Sequence, residues 1–326
     1  MIYNKKYILK TKRRNTDRIL LLTLGFKCNN NCIFCSVGNC RKRKDAGTKK
    51  IIDIMKQGVK EGYESVEFIG GEPTIYKDIM NLVSSAKKLG YQNIMMTTNG
   101  RMFSYKAFSD RIFKAGLNSV SFSLYSHKES IHEGTTRTKG SFRQCVDGIK
   151  NALGYEAYVS VNTVVYKANY GHLTEFGSFL DELGVRDWSL LDLLPDGDAK
   201  EMYSRLCVRL PELSNEMNKL ISLENIGLWF YDFPHCIFKK DFLREKNVNI
   251  EGVETRNSLK QEVYGKSDRT KEINGFVYDN RKILTETCKR CVRLGNCGGL
   301  WEEYFKYYKD WEIRQLAEKH GFLRIK

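Results

Sequence analysis

The chain has 326 residues, which is enough for one large α/β domain or for one domain with an appendage. Its 54 Lys and Arg residues outnumber the 39 Asp and Glu residues, and the net charge of +15 favours an anionic partner such as nucleic acid, an acidic peptide or a phosphorylated molecule. The basic residues are dispersed, so a lysine-rich surface without such a partner is the simpler explanation. The sequence has no signal peptide and no apolar run of membrane-spanning length, which predicts a cytoplasmic protein without a membrane partner.

Short apolar strands alternate with amphipathic helices from residue 18 to about residue 200, after a polar, basic lead-in of residues 1–17. Six strands that alternate with helices imply a parallel sheet with right-handed crossovers, so the predicted fold class is α/β, a partial (β/α)6 TIM barrel. The strands are expected at 19–25, 65–69, 92–98, 119–124, 157–165 and 187–193, and the helices at 48–61, 77–89, 104–115, 141–154 and 171–183.

Residues 201–326 are predicted to form a small, cysteine-rich C-terminal region beside the barrel of residues 18–200. This region contains a helix near 211–223, short β-like pieces such as 275–278, and a closing helix over 301–319.

Polar residues and glycines stand where the predicted strands end. In barrels of this kind the active site forms at the carboxyl ends of the strands. One shared site is therefore expected from the segments at 28–35, 70–74, 97–100, 121–123, 162–164 and 194–197.

Ten cysteines in a reducing compartment favour metal ligation over disulfides. Seven of the ten form two groups at ligand-like spacings: Cys28, Cys32 and Cys35, and then Cys236, Cys288, Cys291 and Cys297.

The first cysteine group has the spacing C-x3-C-x2-C on the loop that leaves the first strand. Three thiolates at a four-iron cubane cluster leave one iron without a protein ligand, which is what a catalytic centre needs. By themselves these cysteines are also compatible with a zinc knot or with unrelated buried thiols.

The cysteine loop and the sequence Gly70-Gly71-Glu72-Pro73 together resemble the radical S-adenosylmethionine (SAM) superfamily. The resemblance runs through residue 197. It implies that the three cysteines hold a [4Fe–4S] cluster, that the open iron binds SAM, and that reductive cleavage of SAM gives a 5′-deoxyadenosyl radical that abstracts hydrogen from a substrate.

The resemblance also implies which residues contact SAM. Phe34 is expected near the adenine, Gly70 and Gly71 at a close backbone approach, Pro73 in a stiff turn, and Glu72 and Thr74 as acceptors for the methionine ammonium. The other expected contacts lie on later strands and loops: Asn99, Ser123, Arg137, Asn162 and Leu194. Arg137 is expected to pair with the SAM carboxylate, which a guanidinium binds bidentately. Tyr125 is expected to face the cavity.

The second cysteine group resembles the SPASM and Twitch auxiliary-cluster modules in its C-x2-C-x5-C core. Trp301 stands where the full SPASM pattern has a further cysteine, and Cys236 is the natural fourth ligand. One closed auxiliary [4Fe–4S] cluster is expected, and a structural zinc site with four cysteine ligands remains the alternative.

The expected function is radical SAM catalysis on a ribosomally made peptide, by crosslinking, oxidation or epimerisation. The alternatives are dehydrogenation or rearrangement of a small molecule, as in Twitch-type relatives, modification of RNA, and a protein that binds iron–sulfur or zinc without cleaving SAM. A flavodoxin- or ferredoxin-type electron donor is expected. Because few residues precede the first strand, any leader-binding unit is expected to be a separate protein.

Overall fold

Eight parallel strands form one sheet in the computed structural model, which describes residues 19–250, 270–273, 276–279 and 281–324. Each strand pairs with the next in chain order, from the first to the eighth. The strands are β1 (Ile19–Thr23), β2 (Ser65–Ile69), β3 (Asn93–Thr98), β4 (Ser119–Ser123), β5 (Tyr158–Val165), β6 (Asp187–Asp192), β7 (Gly227–Tyr231) and β8 (Val248–Ile250).

Helices cross over between the strands and cover one face of the sheet. They are α1 (Thr48–Lys60), α2 (Ile79–Lys88), α3 (Lys106–Ala115), α4 (Glu129–Thr136), α5 (Ser141–Leu153), α6 (Leu173–Leu183), α7 (Tyr203–Leu206) and α8 (Leu210–Met217).

The predicted partial barrel is confirmed, and the six predicted strands are present within two residues at each end. The parallel sheet continues past residue 200 with β7 and β8, which the prediction did not contain. Helix α4 was also missed, and the helix near 211–223 is shorter than predicted, because α8 passes into a 3-10 helix at Asn218–Ser222. Short elements such as β8 carry too few residues to show a periodicity.

The two faces of the sheet differ in polarity. The helix-covered face is apolar and buried, as with Phe68 and Phe122. The inner face carries polar side chains, with Thr97 Oγ1 donating to Glu67 at 2.7 Å and the hydroxyls of Ser121 and Ser160 2.8 Å apart. The eight strands contain no Lys or Arg, although the chain has 54 of them. The inner face of the barrel wall is therefore polar without being basic.

The C-terminal part consists of short elements. These are β9 (Thr270–Ile273), β10 (Phe276–Asp279), β11 (Lys282–Ile283), α9 (Glu286–Lys289), β12 (Leu300–Trp301), α10 (Glu302–Tyr308) and α11 (Trp311–Lys319). The predicted closing helix is thus two helices, because Lys309 has a φ of 57° and interrupts the helical backbone.

A buried ion pair fixes this part to the barrel. Lys282, with a side chain only 2% exposed, places its Nζ 3.0 Å from the carboxylate of Asp232, which directly follows β7. The Trp301 indole donates to Asp192 at 2.8 Å.

Two of the sequence predictions involve residues that the structure does not describe. The basic lead-in of residues 1–17 and Gly275 lie outside the described residues. Among the residues that the structure describes, no helix is long and apolar enough to cross a bilayer.

Candidate functional site

The cysteine loop after β1 is held at the carboxyl edge of the sheet by two neighbouring segments. On one side, the backbone N–H groups of Gly71 and Glu72 donate at 2.8 Å to the carbonyls of Gly25 and Lys27. On the other side, Asn31 and Ile33 donate at 2.9 Å to the carbonyls of the last two residues of α4. The loop that carries Cys28, Cys32 and Cys35 is therefore clamped between the turn after β2 and the end of α4.

The three thiols of this loop interact with one another. Burial raises the pKa of Cys28, and it raises the pKa of Cys32 to about 12 with a further contribution from the Cys28 and Cys35 thiols. Hydrogen bonds oppose these shifts: the backbone N–H of Asn30 donates to Cys28 at 3.3 Å, and the Tyr125 hydroxyl donates to Cys32. Closely spaced thiols that resist ionisation by themselves release their protons when a cationic group binds them.

The two glycines of the turn after β2 are required by backbone contact with the cysteine loop. Gly70 has a φ of 139°, and a Cβ atom there would lie 2.3 Å from the Gly25 carbonyl oxygen. A Cβ atom at Gly71 would lie 2.2 Å from the carbonyl oxygen of Lys27. In the structure these glycines permit the close approach of the loop that carries the cysteines, and the approach of a ligand to the same turn stays a prediction.

Glu72 joins the ends of β2 and β3. Its carboxylate accepts from Thr74 N at 3.0 Å, Thr74 Oγ1 at 2.6 Å, Thr98 Oγ1 at 2.7 Å and Asn99 N at 2.7 Å. Both oxygens are thus used within the protein, and burial raises the pKa of this carboxyl. The structure thus shows Glu72 and the buried Thr74 joining these strand ends, and the predicted contact of both residues with the methionine ammonium group stays a prediction. Pro73 is buried in the same turn.

Asn99 connects this network to the first cysteine. Its side-chain amide donates to Asn29 Oδ1 at 2.7 Å and lies 3.8 Å from the Cys28 sulfur. Ser123 and Asn162 are paired neighbours on β4 and β5, and both are half-buried. The structure therefore brings Asn99 to the cysteine loop and places Ser123 beside Asn162.

The remaining predicted SAM contacts lie around these residues. Phe34 is buried and packs edge-on against Tyr125 and Tyr166, with ring centroids 5.2 and 5.1 Å away. Arg137 is exposed in a left-handed conformation at the end of α4, and Leu194 is half-buried after β6. Arg137 directly follows Thr136, whose carbonyl accepts from the cysteine loop at Asn31.

Two residues at the first cysteine group have roles that the sequence did not indicate. The Tyr125 hydroxyl contacts Cys32, where only a position facing the cavity was expected. The Arg41 guanidinium contacts Cys35. Arg41 lies in the basic run 41–44, so its sequence context does not distinguish it from a solvated surface residue.

The second group of cysteines surrounds one cavity, which is also lined by Leu284, Ile313 and Ala317; the four are Cys236, Cys288, Cys291 and Cys297. Burial raises the pKa of Cys236 above its usual value, with a further contribution from the Cys297 thiol. Burial likewise raises the pKa of Cys288 to about 11.

Polar groups donate to the sulfurs of this second group. The N–H groups of His235 and Gly299 donate to Cys297 at 3.3 and 3.5 Å, and Arg293 N donates to Cys291 at 3.4 Å. Four thiols around a common cavity, with N–H donors at the sulfurs, form a donor set that fits an iron–sulfur cluster. Within the described residues, no group of three or more His, Cys, Asp or Glu is arranged to hold a single metal ion.

The family follows from a comparison with known families. Residues 22–180, which include the end of β1, the cysteine loop and the strands β2 to β5, match the model of the Radical SAM superfamily. This part of the chain belongs to that superfamily. The radical SAM domain thus contains the first cysteine group, whereas the second group lies beyond it.

Curated relatives match a little more than half of this chain. The chain is 32% identical over 183 residues to "Probable GTP 3′,8-cyclase" of Saccharolobus solfataricus and 30% identical over 187 residues to the protein of that name from Sulfurisphaera tokodaii. Each match covers 56% of this chain and 58% of the relative, so the chain spans little more than half of these relatives.

Solved structures resemble a larger share of the fold. Native anSMEcpe with bound AdoMet and Cp18Cys peptide has a TM-score of 0.61 at 16% identity, covering 92% of this chain and 96% of that chain. SuiB of Streptococcus suis bound to its precursor peptide SuiA has a TM-score of 0.56 at 20% identity, covering 68% of this chain and 50% of that chain. The similarity to anSMEcpe thus extends over most of the fold beyond the radical SAM domain.

Proposed function

We propose that this radical SAM enzyme holds a [4Fe–4S] cluster on Cys28, Cys32 and Cys35 and binds SAM at the remaining iron. When bound, these groups supply reductive cleavage of SAM to a 5′-deoxyadenosyl radical, which removes a hydrogen atom from the substrate. The observation that carries the proposal is the set of three interacting thiols, clamped at the carboxyl edge of the sheet. Three thiolate ligands leave one position of a cubane cluster open.

The residues around this loop have distinct proposed tasks. Asn99, Ser123 and Asn162 offer polar groups to the ribose and carboxylate of SAM, and the exposed guanidinium of Arg137 pairs with that carboxylate. Glu72 orients Asn99 through the hydrogen bond from the Asn99 N–H. Phe34, Gly70, Gly71, Pro73 and Leu194 shape the walls, and the buried Phe34 excludes water from one side.

The second cysteine group is proposed to hold an auxiliary [4Fe–4S] cluster with all four irons ligated by protein. The shared cavity and the N–H donors at Cys291 and Cys297 support this proposal. Complete cysteine ligation suits electron transfer better than substrate binding. Zinc is the alternative, which metal analysis of anaerobically purified protein distinguishes.

We propose a ribosomally made peptide as the substrate. The eight strands of the parallel sheet contain no Lys or Arg, so the barrel wall offers no cation to a triphosphate, whereas hydroxyl, amide and carboxylate groups suit a peptide backbone. The similarity in fold to anSMEcpe, which was solved with a peptide, extends over 92% of this chain. A nucleoside triphosphate is the second candidate, because relatives at 32% identity are named GTP 3′,8-cyclases.

The test begins with anaerobically reconstituted protein, dithionite and SAM. Release of 5′-deoxyadenosine is the expected result, and no release with dithionite or with a flavodoxin- or ferredoxin-type donor would overturn the SAM-cleavage proposal. Peptides encoded by short neighbouring reading frames and GTP are then supplied separately. A mass change in a peptide supports the substrate proposal, with a separate leader-binding protein added where one is encoded nearby. Consumption of GTP, without a mass change in any peptide, contradicts it.

A further inference from the structure

Arg41 is held against the third cysteine of the radical SAM loop by two other side chains. It follows the short 3-10 helix Gly38–Cys40, and its guanidinium contacts the Cys35 thiol. Nη1 donates to Asn31 Oδ1, and Nη2 lies 3.5 Å from the carboxylate of Asp198. The side chain is 30% exposed, so most of this cation is withdrawn from solvent.

One edge of this guanidinium has unused hydrogen-bonding capacity. Nε and Nη2 are buried, and neither donates a hydrogen bond of normal geometry to any residue that the structure describes. A buried donor without an acceptor costs about 1–3 kcal/mol, and more when the group is charged. The Nε–Nη2 edge is also the one that forms paired hydrogen bonds with anions. The site therefore has the donors for an anionic group beside Cys35.

The turn after β6 holds Arg41 in this position. Asp198 donates its backbone N–H to the Cys35 carbonyl at 2.9 Å. The turn packs so closely that a Cβ atom at Gly38 would lie 2.0 Å from the Asp198 carboxylate. In the same turn, Asp196 pairs at 3.1 Å with Arg281 of the C-terminal part. The turn that holds the cation is thus itself tied to the C-terminal part of the chain.

We infer that Arg41 donates hydrogen bonds to the sulfur atoms of the iron–sulfur cluster held by Cys35 and thereby stabilises the reduced form of that cluster. The inference rests on the proposed function. One electron from a flavodoxin- or ferredoxin-type donor adds one negative charge to the cluster, so a fixed cation at contact distance stabilises the reduced form more than the oxidised form. Hydrogen bonds to cluster sulfurs shift the potential in the same direction. Arg41 is a positioning residue, since it acts through the cluster.

The experiment compares Arg41→Gln with Lys42→Gln in full-length reconstituted protein. Lys42 is the exposed neighbour in the same loop, so its replacement removes the same formal charge without a contact to Cys35. The midpoint potential of the first cluster is measured without SAM by EPR-monitored redox titration. The first cluster is identified by the change of its EPR signal when SAM is added.

Arg41→Gln is expected to load iron as the wild type does and to make reduction of the first cluster at least tenfold less favourable, which is about 59 mV for a one-electron couple. Lys42→Gln is expected to change this equilibrium less than twofold. An Arg41→Gln protein with unchanged iron and an unchanged midpoint overturns the inference. A lower affinity for SAM with an unchanged midpoint also overturns it, because the acceptor would then be the SAM carboxylate.

A conservative variant covers the case in which Arg41→Gln no longer binds the first iron–sulfur cluster. If Arg41→Gln binds no iron at this site, Arg41→Lys is titrated instead; a smaller shift in the same direction supports the inference, and a wild-type midpoint contradicts it. Failure of the proposed function has a different signature: wild-type protein would then hold no iron on Cys28, Cys32 and Cys35. If the wild type cleaves SAM while the midpoints do not shift, the inference about Arg41 fails alone.

Discussion

The two cysteine groups of this chain are built in opposite ways. The first group lies on one continuous loop that carries Cys28, Cys32 and Cys35. Two polar side chains that contact these cysteines, Tyr125 and Arg41, come from outside the segment 28–35. The second group collects Cys236 from a segment after β7 and three cysteines from the C-terminal part, and its N–H donors come from residues next to the cysteines.

The surroundings differ as much as the construction. The first group lies at a carboxyl edge where half-buried polar side chains such as Asn99 remain within reach of a ligand. The second group encloses a cavity with apolar walls such as Leu284 and Ile313. The difference teaches that a cluster with one iron free for a ligand needs polar side chains around that iron. A cluster whose irons are all held by cysteines needs only the four thiols and an apolar cavity.

Removal of the first group tests the comparison with the largest expected effect. The triple variant Cys28→Ala, Cys32→Ala, Cys35→Ala is expected to lower iron from about eight to about four per chain, since each cubane cluster contains four irons. Release of 5′-deoxyadenosine should fall at least about a thousandfold, because the cluster with the open iron that binds SAM is lost and the remaining irons are all ligated by protein. Cys40→Ala, outside both groups, is the control and should keep both values. A triple variant that retains about eight irons would disprove the two-cluster proposal.

Removal of the second group should separate SAM cleavage from substrate turnover. Cys236→Ser is expected to lower iron to about four per chain while 5′-deoxyadenosine release stays within about threefold of the wild type. Product formation should fall at least about tenfold, because the loss of a ligand to the metal typically costs this much or more. Cys207→Ala, a buried thiol outside both groups, serves as the control. Equal loss of cleavage and turnover in Cys236→Ser would mean that the two sites are not independent.

The buried ion pair between the two regions predicts a smaller effect, on stability. Lys282→Met removes the ammonium group that lies 3.0 Å from the carboxylate of Asp232, and breaking a buried pair in this way costs about 3–5 kcal/mol of unfolding free energy. The exposed pair Lys289–Glu286 provides the control, since Lys289→Met should cost less than about 1 kcal/mol. Denaturant unfolding of both variants measures the difference. Similar losses would show that the C-terminal part does not depend on this contact.

The last prediction concerns the pH dependence of stability. Burial raises the pKa of Asp192 to about 7, against the opposing attraction of Lys282. An unfolded aspartate titrates near 3.9, so the folded state retains a proton that the unfolded state has lost between these values. The free energy of unfolding should therefore fall by up to about 1.4 kcal/mol per pH unit as the pH rises from about 4 to about 7, and level off above that range.

Asp192→Asn should lack this contribution. Its unfolding free energy is expected to rise relative to the wild type as the pH increases towards about 7, and then to stay at a constant difference. The exposed Asp53→Asn variant should follow the wild-type slope. Denaturant unfolding across this pH range measures the difference. Parallel curves for Asp192→Asn and the wild type would contradict the raised pKa of Asp192.

The sequence by itself determined the alternation of strands and helices up to residue 192, because hydrophobic periodicity and capping glycines such as Gly116 and Gly184 are local properties. It also determined the three-cysteine loop and its place after β1, since the C-x3-C-x2-C spacing is contained in one short segment. In the second group the C-x2-C-x5-C spacing of Cys288, Cys291 and Cys297 is equally local, whereas Cys236 stands far earlier in the chain.

Only the tertiary structure decided which groups act on those cysteines. The sequence predicted that Glu72 contacts a ligand, and the structure adds that its carboxylate also accepts hydrogen bonds from Thr98, Asn99 and its own turn. In the sequence Arg41 is one of four consecutive basic residues and resembles a surface residue. In the structure its ion pair with Asp198 holds it beside Cys35. Strand β7 is added to the sheet beyond the predicted barrel by pairing with β6. Such contacts join residues far apart in the chain, and no local pattern encodes which distant side chain will fill a given space.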